Sequence, residues 1–241
     1  MRHWDDPALP APVAAPPNMR ETVWGVQDQA TLDQIAAELR QDRTVDVVDG
    51  QLRSHDDDGY PIAFQVTCRT PLAPQPSLVN VPGMPPMRPA NAIADYTAAP
   101  DLMTLGHHVF YTRDLERGVA FYERLGFYVT DRFTGTGAFL RSAGCPEHHN
   151  LYLIYRPEQP LGLNHIAFHV RDHLALMLAG KRFLQRGGVS AWGPGRHIFG
   201  SNHFWYFKSP FGGNLEYDAD IDVVDERWEP RETEIDRKSV V

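Results

Sequence analysis

The sequence predicts an α+β fold of paired β-α-β-β-β modules that form a half-open barrel. Three observations carry that expectation. The first is an internal repeat: LGHHVFYTRD (105–114) lies over LNHIAFHVRD (163–172), setting Leu105 on Leu163, His107 on His165, Phe110 on Phe168 and Arg113-Asp114 on Arg171-Asp172. The second is the order of elements, because each copy reads as a strand, an Arg-Asp turn, a helix and further strands. The third is the histidine distribution. Nine of the eleven histidines fall between His107 and His203, which marks the repeat as a place to seek a metal or acid–base site.

The elements follow in order. Residues 1–18 are rich in proline and alanine and read as a loose arm. From 19 to 66 the pattern is β-α-β-β-β. ETVWGV is strand-like, and TLDQIAAELRQ places Leu32, Ile35, Ala36 and Leu39 on one helical face. TVDVVDGQLRS reads as a hairpin turning at Asp49-Gly50, and PIAFQV is a further strand. Residues 67–103 hold eight prolines and little periodicity, the mark of a linker or long surface loop.

Residues 104–222 form the denser region, with modules at 104–157 and 162–222. The first helix, LERGVAFYERLG, points Val119, Phe121, Tyr122 and Leu125 inward and stops at Gly126. The second, HLALMLAGKRFLQRGG, is expected to point Leu174, Met177, Leu178 and Phe183 inward. The strands after the helices are FYVTDRF, GAFLRS and NLYLIYR in the first module, and HIFG, HFWYFKS and NLEYDAD in the second. Residues 223–241 read as a charged, peripheral tail. The segment 19–66 looks like a third, diverged copy of the module.

Composition narrows the function classes. The chain has 241 residues, a formal net charge of −8 and no basic cluster, which argues against nucleic-acid binding. No apolar run approaches the ~18 residues of a membrane span, and the N-terminus lacks a signal-peptide pattern. Two cysteines, Cys68 and Cys145, are too few for a disulfide framework. A soluble cytoplasmic protein is the expectation.

Two histidines at equivalent positions of paired modules meet near the axis that relates the modules, and a metal ion needs such convergence. A single strand histidine is more often a satisfied core residue, but two in register call for another explanation. GGNLEYDAD supplies a third ligand, Glu216, on a short apolar strand where an unpaired buried carboxylate is costly. Alternation alone would equally allow Leu215 and Tyr217 to face inward and Glu216 to face solvent. Two imidazoles and one carboxylate, His107, His165 and Glu216, make the open three-ligand set of non-haem Fe(II) oxygenases rather than a closed structural zinc site. Mn(II) suits the same ligand types. The 19–66 copy carries Glu21 and Ala63 at the corresponding places, so it is expected to be metal-free.

These residues resemble the extradiol ring-cleaving dioxygenases of the vicinal oxygen chelate superfamily, the catechol and 2,3-dihydroxybiphenyl enzymes above all. The most specific stretch is GRHIFGSNHFWYFKSPFGGNLEY, in which Gly195, His197, Tyr206, Pro210, Gly212 and Glu216 fit the family signature. Trp205 and Ser209 depart from it. CPEHHNLYLI resembles the strand opening that carries a catalytic histidine, which maps to His149. The resemblance implies that a small aromatic diol and O2 meet at Fe(II). It also implies that His149 handles oxygen-side charge and a proton, and that His197 and Tyr206 bind the substrate hydroxyl and manage its proton. Family members with two domains carry two modules in their N-terminal half, whereas this chain has room for one. That unit is expected to pack on the catalytic domain or on another subunit, and a homo-oligomer is predicted.

The other histidines are expected to play lesser parts. His108 packs outward, on the face opposite His107. His148 stands next to His149 as its neighbour, His169 lines the cleft, and His203 lies outward or at the rim. Two other functions compete. A glyoxalase-type isomerase or lyase of the same fold would complete its metal with four protein ligands. A non-enzymatic binder of small aromatics would lack the metal triad.

Overall fold

Each Arg-Asp turn works as a helix start. In a computed structural model, which describes residues 7, 9–11, 19–75 and 77–234, the three aligned aspartates are all helix N-caps. Asp28 accepts from Thr31 N–H at 2.8 Å, Asp114 from Arg117 N–H at 3.1 Å and Asp172 from Ala175 N–H at 2.8 Å. Each carboxylate satisfies a donor that the first helical turn leaves unpaired. The helices they cap are α1 (Gln29–Leu39), α2 (Leu115–Glu123) and α3 (His173–Gln185). Most of the Pro/Ala-rich arm, and the tail beyond 234, lie outside the described residues.

The N-terminal unit folds as β1 (Thr22–Val26), α1, β2 (Asp46–Val48), β3 (Gln51–His55) and β4 (Pro61–Val66), a four-stranded sheet in the order β1-β4-β3-β2. Asp49 and Gly50 take φ of 52° and 75° between β2 and β3, the positive pair that a tight two-residue hairpin needs. Leu32, Ile35, Ala36 and Leu39 are the buried face of α1. Among the described residues, no helix or strand forms between β4 and β5. That stretch passes α3, where Ser77 N–H donates to Asp172 and Arg182 donates to the Thr97 carbonyl.

The first repeat is β5 (Leu102–Thr112), α2, β6 (Phe127–Phe133), β7 (Gly137–Ser142) and β8 (Leu151–Tyr155). The second is β9 (Leu163–Val170), α3, β10 (Ser190–Arg196), β11 (His203–Lys208) and β12 (Asn214–Ala219), and β13 (Arg231–Thr233) follows. They share one open nine-stranded sheet, ordered β10-β11-β12-β9-β5-β8-β7-β6-β13. The two opening strands, β5 and β9, pair antiparallel at its centre, with Val109 opposite His165. That junction relates one module to the other.

The structure corrects three details of the sequence reading. The strand placed at HIFG lies earlier, at Ser190–Arg196, and residues 197–200 are a loop. Gly193, Pro194 and Gly195 disguise β10, which is tolerable because it is an edge strand. In α3 the buried face is Leu176, Ala179 and Gly180, whereas Met177 is exposed. A Cβ on Gly180 would come within 2.1 Å of the Trp205 ring, so the small side of the helix receives the indole. The charged tail is also not peripheral: β13 pairs in parallel with β6, Arg231 opposite Asp131.

The interior is continuous across the N-terminal boundary. Leu32, Leu39, Ile62 and Phe64 join Phe110, Val119, Tyr122, Leu140 and Leu151 in one apolar cluster. Full burial of such side chains contributes roughly 1.5–3 kcal/mol each. The Tyr60 hydroxyl donates to the Tyr111 carbonyl at 2.8 Å and accepts from Gly162 N–H, at the connection between the two modules.

Candidate metal centre and active-site cleft

Strand alternation decides which histidine of the HisHis pair enters the cleft. His107 faces the inner side of the sheet and His108 the other. His107 Nε2 lies 3.2 Å from His165 Nε2 and 3.1 Å from Glu216 Oε2, and His165 Nε2 lies 3.2 Å from the same oxygen. All three residues are buried, and among the described residues they form the one such group of three or more that could hold a metal ion. Three ligands at right angles, each about 2.1 Å from a shared centre, stand about 3.0 Å apart. The observed triangle has that size.

The unpaired atoms also fit a cation. Glu216 is fully buried, yet its Oε1 has no hydrogen-bond partner, and neither has His107 Nδ1. Burial opposes ionisation of Glu216, but the adjacent His107 and the bonds from the surrounding imidazoles hold its carboxyl well below the usual range. Burial holds His165 below the usual histidine value, against the pull of Glu216. The centre therefore offers two imidazole nitrogens and one anionic oxygen. The register explains the convergence: β12 runs parallel to β9 with Glu216 opposite Ala167, so Glu216 and His165 share a face.

The other three residues singled out in the sequence stand at the same cleft. The His149 ring centroid is 4.4 Å from that of His107. His197 Nε2 is 3.1 Å from the Tyr206 hydroxyl and 3.6 Å from Glu216 Oε1. The Tyr206 ring packs edge-on against His165 at 5.0 Å and stacks on Trp192. Burial holds His149 well below the ordinary histidine value, and the neighbouring His107 and His148 add to the effect. Burial, with the charge of Glu216 behind it, pushes the Tyr206 phenol well above its usual value. The departures from the signature have local roles: Trp205 Nε1–H donates to Ser190 at 2.9 Å, and the Ser209 hydroxyl accepts from Phe211 N–H at 3.1 Å.

His108 does not pack outward in the sense expected. It is buried, tilted against Trp24 at 4.9 Å and Phe110 at 4.7 Å. Alternation gave the correct face, but the N-terminal unit covers that face. Burial, then the nearby His107 and His165, lowers its value to about 3, and its Nε2 has no partner. His169 does more than line the cleft, because it sits between Asp218 (2.6 Å) and Glu147 (3.1 Å). His148 Nδ1 meets His149 Nδ1 at 2.9 Å, and its Nε2 meets Asp131 at 2.8 Å. His203 is at the rim, beside His173 and Arg196. In the N-terminal copy, Glu21 forms an ion pair with Arg53 at 3.2 Å.

Sequence reading missed Asp131, Asp218, Glu147 and Arg231. Asp131 and Asp218 carried the signal that had found Glu216, a lone carboxylate within an apolar strand. Arg231 carried none.

Residues 104–217 match the family described as the Glyoxalase/Bleomycin resistance protein/Dioxygenase superfamily. Metapyrocatechase 2 of Cupriavidus necator is 33% identical over 121 residues, 50% of this chain and 37% of that protein. An iron-dependent extradiol dioxygenase of Rhodococcus jostii (strain RHA1) is 32% identical over 143 residues, 54% of this chain and 47% of that protein. The matches thus span less than half the length of these relatives. Among solved structures, the Mn(II)-bound glyoxalase from Novosphingobium aromaticivorans has a TM-score of 0.70 at 20% identity, over 92% of this chain and 70% of that one. The 2,3-dioxygenase LapB from Pseudomonas sp. KL28 also has a TM-score of 0.70, at 21% identity, over 89% and 76%. At such identities the likeness is one of fold, and the fold is shared by a protein named a glyoxalase and one named a dioxygenase. No helix among the described residues is long and apolar enough to cross a membrane. Residues 104–217, which carry the two in-register modules and the His107–His165–Glu216 cluster, are thus similar to the Glyoxalase/Bleomycin resistance protein/Dioxygenase superfamily.

Proposed function

We propose that the protein is a non-haem Fe(II)-dependent extradiol dioxygenase that cleaves a catechol-type ring with O2, next to the vicinal diol. The observation that carries this is a three-ligand centre with acid–base residues beside it. No fourth imidazole or carboxylate joins His107, His165 and Glu216 in the cluster among the described residues, which leaves coordination positions for a bidentate diol and O2. His149, His197 and Tyr206 stand within reach of that centre without belonging to the ligand set. Mn(II) has the same ligand preferences.

Bound to these three side chains, Fe(II) would hold both diol oxygens and O2 side by side and pass electron density between them. The remaining work falls to the chain. Tyr206 stays protonated because burial and the Glu216 charge oppose its ionisation, so its hydroxyl is a hydrogen-bond donor to a substrate oxygen. His197, 3.1 Å from that hydroxyl, takes and holds the proton that the diol gives up on binding. His149, kept neutral by burial, accepts a proton and returns it as charge develops on the oxygen side. Phe139, Tyr152, Phe204 and Trp192 supply aromatic walls around these groups and limit water.

The glyoxalase-type alternative draws on the fold likeness to the Mn(II)-bound enzyme. The absence of a fourth ligand from the cluster among the described residues and the His149–His197–Tyr206 set favour ring cleavage over it. Anaerobic loading with Fe(II), followed by a panel of substituted catechols, tests the proposal. The expected result is stoichiometric O2 uptake with a yellow ring-opened semialdehyde. Iron-loaded protein that consumes no O2 with any catechol would overturn it.

A further inference from the structure

His149 is the residue whose proton matters most to the proposed reaction, and its ring is not free to choose where that proton sits. Its Nδ1 faces His148 Nδ1 at 2.9 Å. Two nitrogens at that distance share one hydrogen, so one ring donates and the other accepts. The far side of His148 settles which. His148 Nε2 lies 2.8 Å from Asp131 Oδ2, and a carboxylate is an acceptor only. His148 must therefore carry its proton on Nε2.

Asp131 is itself fixed as an anion. Arg231 donates to it three ways: backbone N–H to Oδ1 at 2.7 Å, Nε–H to both oxygens at 3.1 and 3.2 Å, and Nη2–H to Oδ2 at 2.5 Å. Burial works against the charge, but the bonds from His148 and Arg231 prevail and keep this carboxyl below its usual value. Arg231 already balances the aspartate, so a second proton on the fully buried His148 ring would be an unbalanced charge in a dry site. With one proton on Nε2, His148 presents a bare Nδ1, and His149 must donate to it.

We infer that Arg231, Asp131 and His148 are positioning residues that fix the tautomer of His149, its proton on Nδ1 and its Nε2 bare. This deepens the dioxygenase reading and rests on it for its catalytic meaning. Among the described residues Nε2 of His149 meets no protein partner, while the ring itself stands against His107 and Phe139. A bare Nε2 is a ready acceptor for a substrate or oxygen-side proton. When it takes one, the positive ring is stabilised through its Nδ1–H by His148 and, behind it, by Asp131. The rings are wedged as well as bonded: Trp228 packs edge-on on His148 at 5.3 Å, and Arg231 lies over Trp228 and Phe199 at 4.8 and 5.1 Å. The last segment of described chain thus sets the orientation of a residue some eighty positions earlier.

Nitrogen NMR of the metal-free protein labelled with 15N-histidine, assigned with His148→Phe and His149→Phe, reads the tautomers directly. The expected result is a protonated Nδ1 on His149 and a protonated Nε2 on His148. Asp131→Asn, whose amide can donate to His148 Nε2 instead, should erase that preference. In the Fe(II)-loaded enzyme it should lower kcat with catechol about ten- to a hundredfold, with KM and iron content unchanged. Arg231→Leu, at a half-exposed side chain, should move both readouts in the same direction and serves if Asp131→Asn does not fold. A wild-type His149 protonated on Nε2 would overturn the inference, as would variants with unchanged tautomers and kcat. A wild type that shows the expected tautomers but cleaves no catechol would sink the dioxygenase reading and leave the positioning of His149 supported.

Discussion

His169 Nδ1 lies 2.6 Å from Asp218 Oδ1, while its other ring nitrogen lies 3.1 Å from Glu147. An imidazole between two carboxylates donates from both nitrogens, so it is a cation. Burial opposes that charge, but the bonds to Asp218 and Glu147 outweigh it and raise the value from 6.5 to about 10. A folded value above the unfolded one means stability that is fully present below pH 6.5 and lost as pH rises towards 10. Urea denaturation of the metal-free protein should show that decline. His169→Gln should flatten it and cost roughly 3–5 kcal/mol near pH 6, because the buried Asp218 loses its charged partner and the part-exposed Glu147 loses its own. An unchanged pH slope in the variant would count against this assignment.

Gly106 is what lets that ring lie where it does. A Cβ at this position would fall 2.5 Å from His169 Cε1 and Nε2. The ring is held at both nitrogens and cannot simply swing aside. Gly106→Ala should therefore destabilise by about 1–3 kcal/mol and weaken metal retention through the adjacent His107, measurable by thermal unfolding and metal analysis. Wild-type stability would show that the ring yields.

Asp56 titrates in the opposite sense to a typical surface aspartate. Burial raises its value from 3.8 to about 7, against the bonds it accepts from Tyr60 N–H and the Tyr122 hydroxyl. The folded state thus holds a proton that the unfolded state releases, and stability should fall as pH rises from about 4 to about 7, then level off. Asp56→Asn keeps the acceptor towards Tyr60 N–H, turns the group facing the Tyr122 hydroxyl into a donor to the phenol oxygen, and removes the titration. The variant should match the wild type near pH 4 and exceed it near pH 8 in chemical denaturation. A wild type whose stability rises over that interval through this residue would refute the assignment.

The two neighbouring histidines of β5 should respond differently to substitution. His108 is buried with a partnerless Nε2, and such a group costs about 1–3 kcal/mol. His108→Leu should be neutral or stabilising and should retain metal. His107→Ala should lose metal binding while remaining folded, since it removes one corner of the triangle. Metal titration followed by thermal melts separates the two, and loss of metal from His108→Leu alone would reverse the assignment.

Much of the fold was legible because the repeat is local chemistry written twice. Asp114 and Asp172 cap equivalent helices, and His107 and His165 sit at equivalent places on equivalent strands. Period-2 alternation then placed His107 and His108 on opposite faces. It could not say what covers each face, because cover comes from residues far away in the chain, here Trp24 on His108. The same limit hid the His148–Asp131–Arg231 chain, whose members are 17 and 100 residues apart and share no motif. The phase of α3 was misread because large apolar residues were weighted over Gly180, the position that receives Trp205.

The shared interior of the N-terminal unit has a mechanical corollary. A body whose inner wall is also its neighbour's inner wall has no melting point of its own. Phe64 and Phe110 would be exposed to water in the same event, and the Tyr60 hydroxyl would leave the inter-module connection at that moment. What the sequence draws as a separate first paragraph, the physics treats as part of the same sentence: heat, denaturant or truncation applied to residues 19–66 is felt at once by the strand that carries His107.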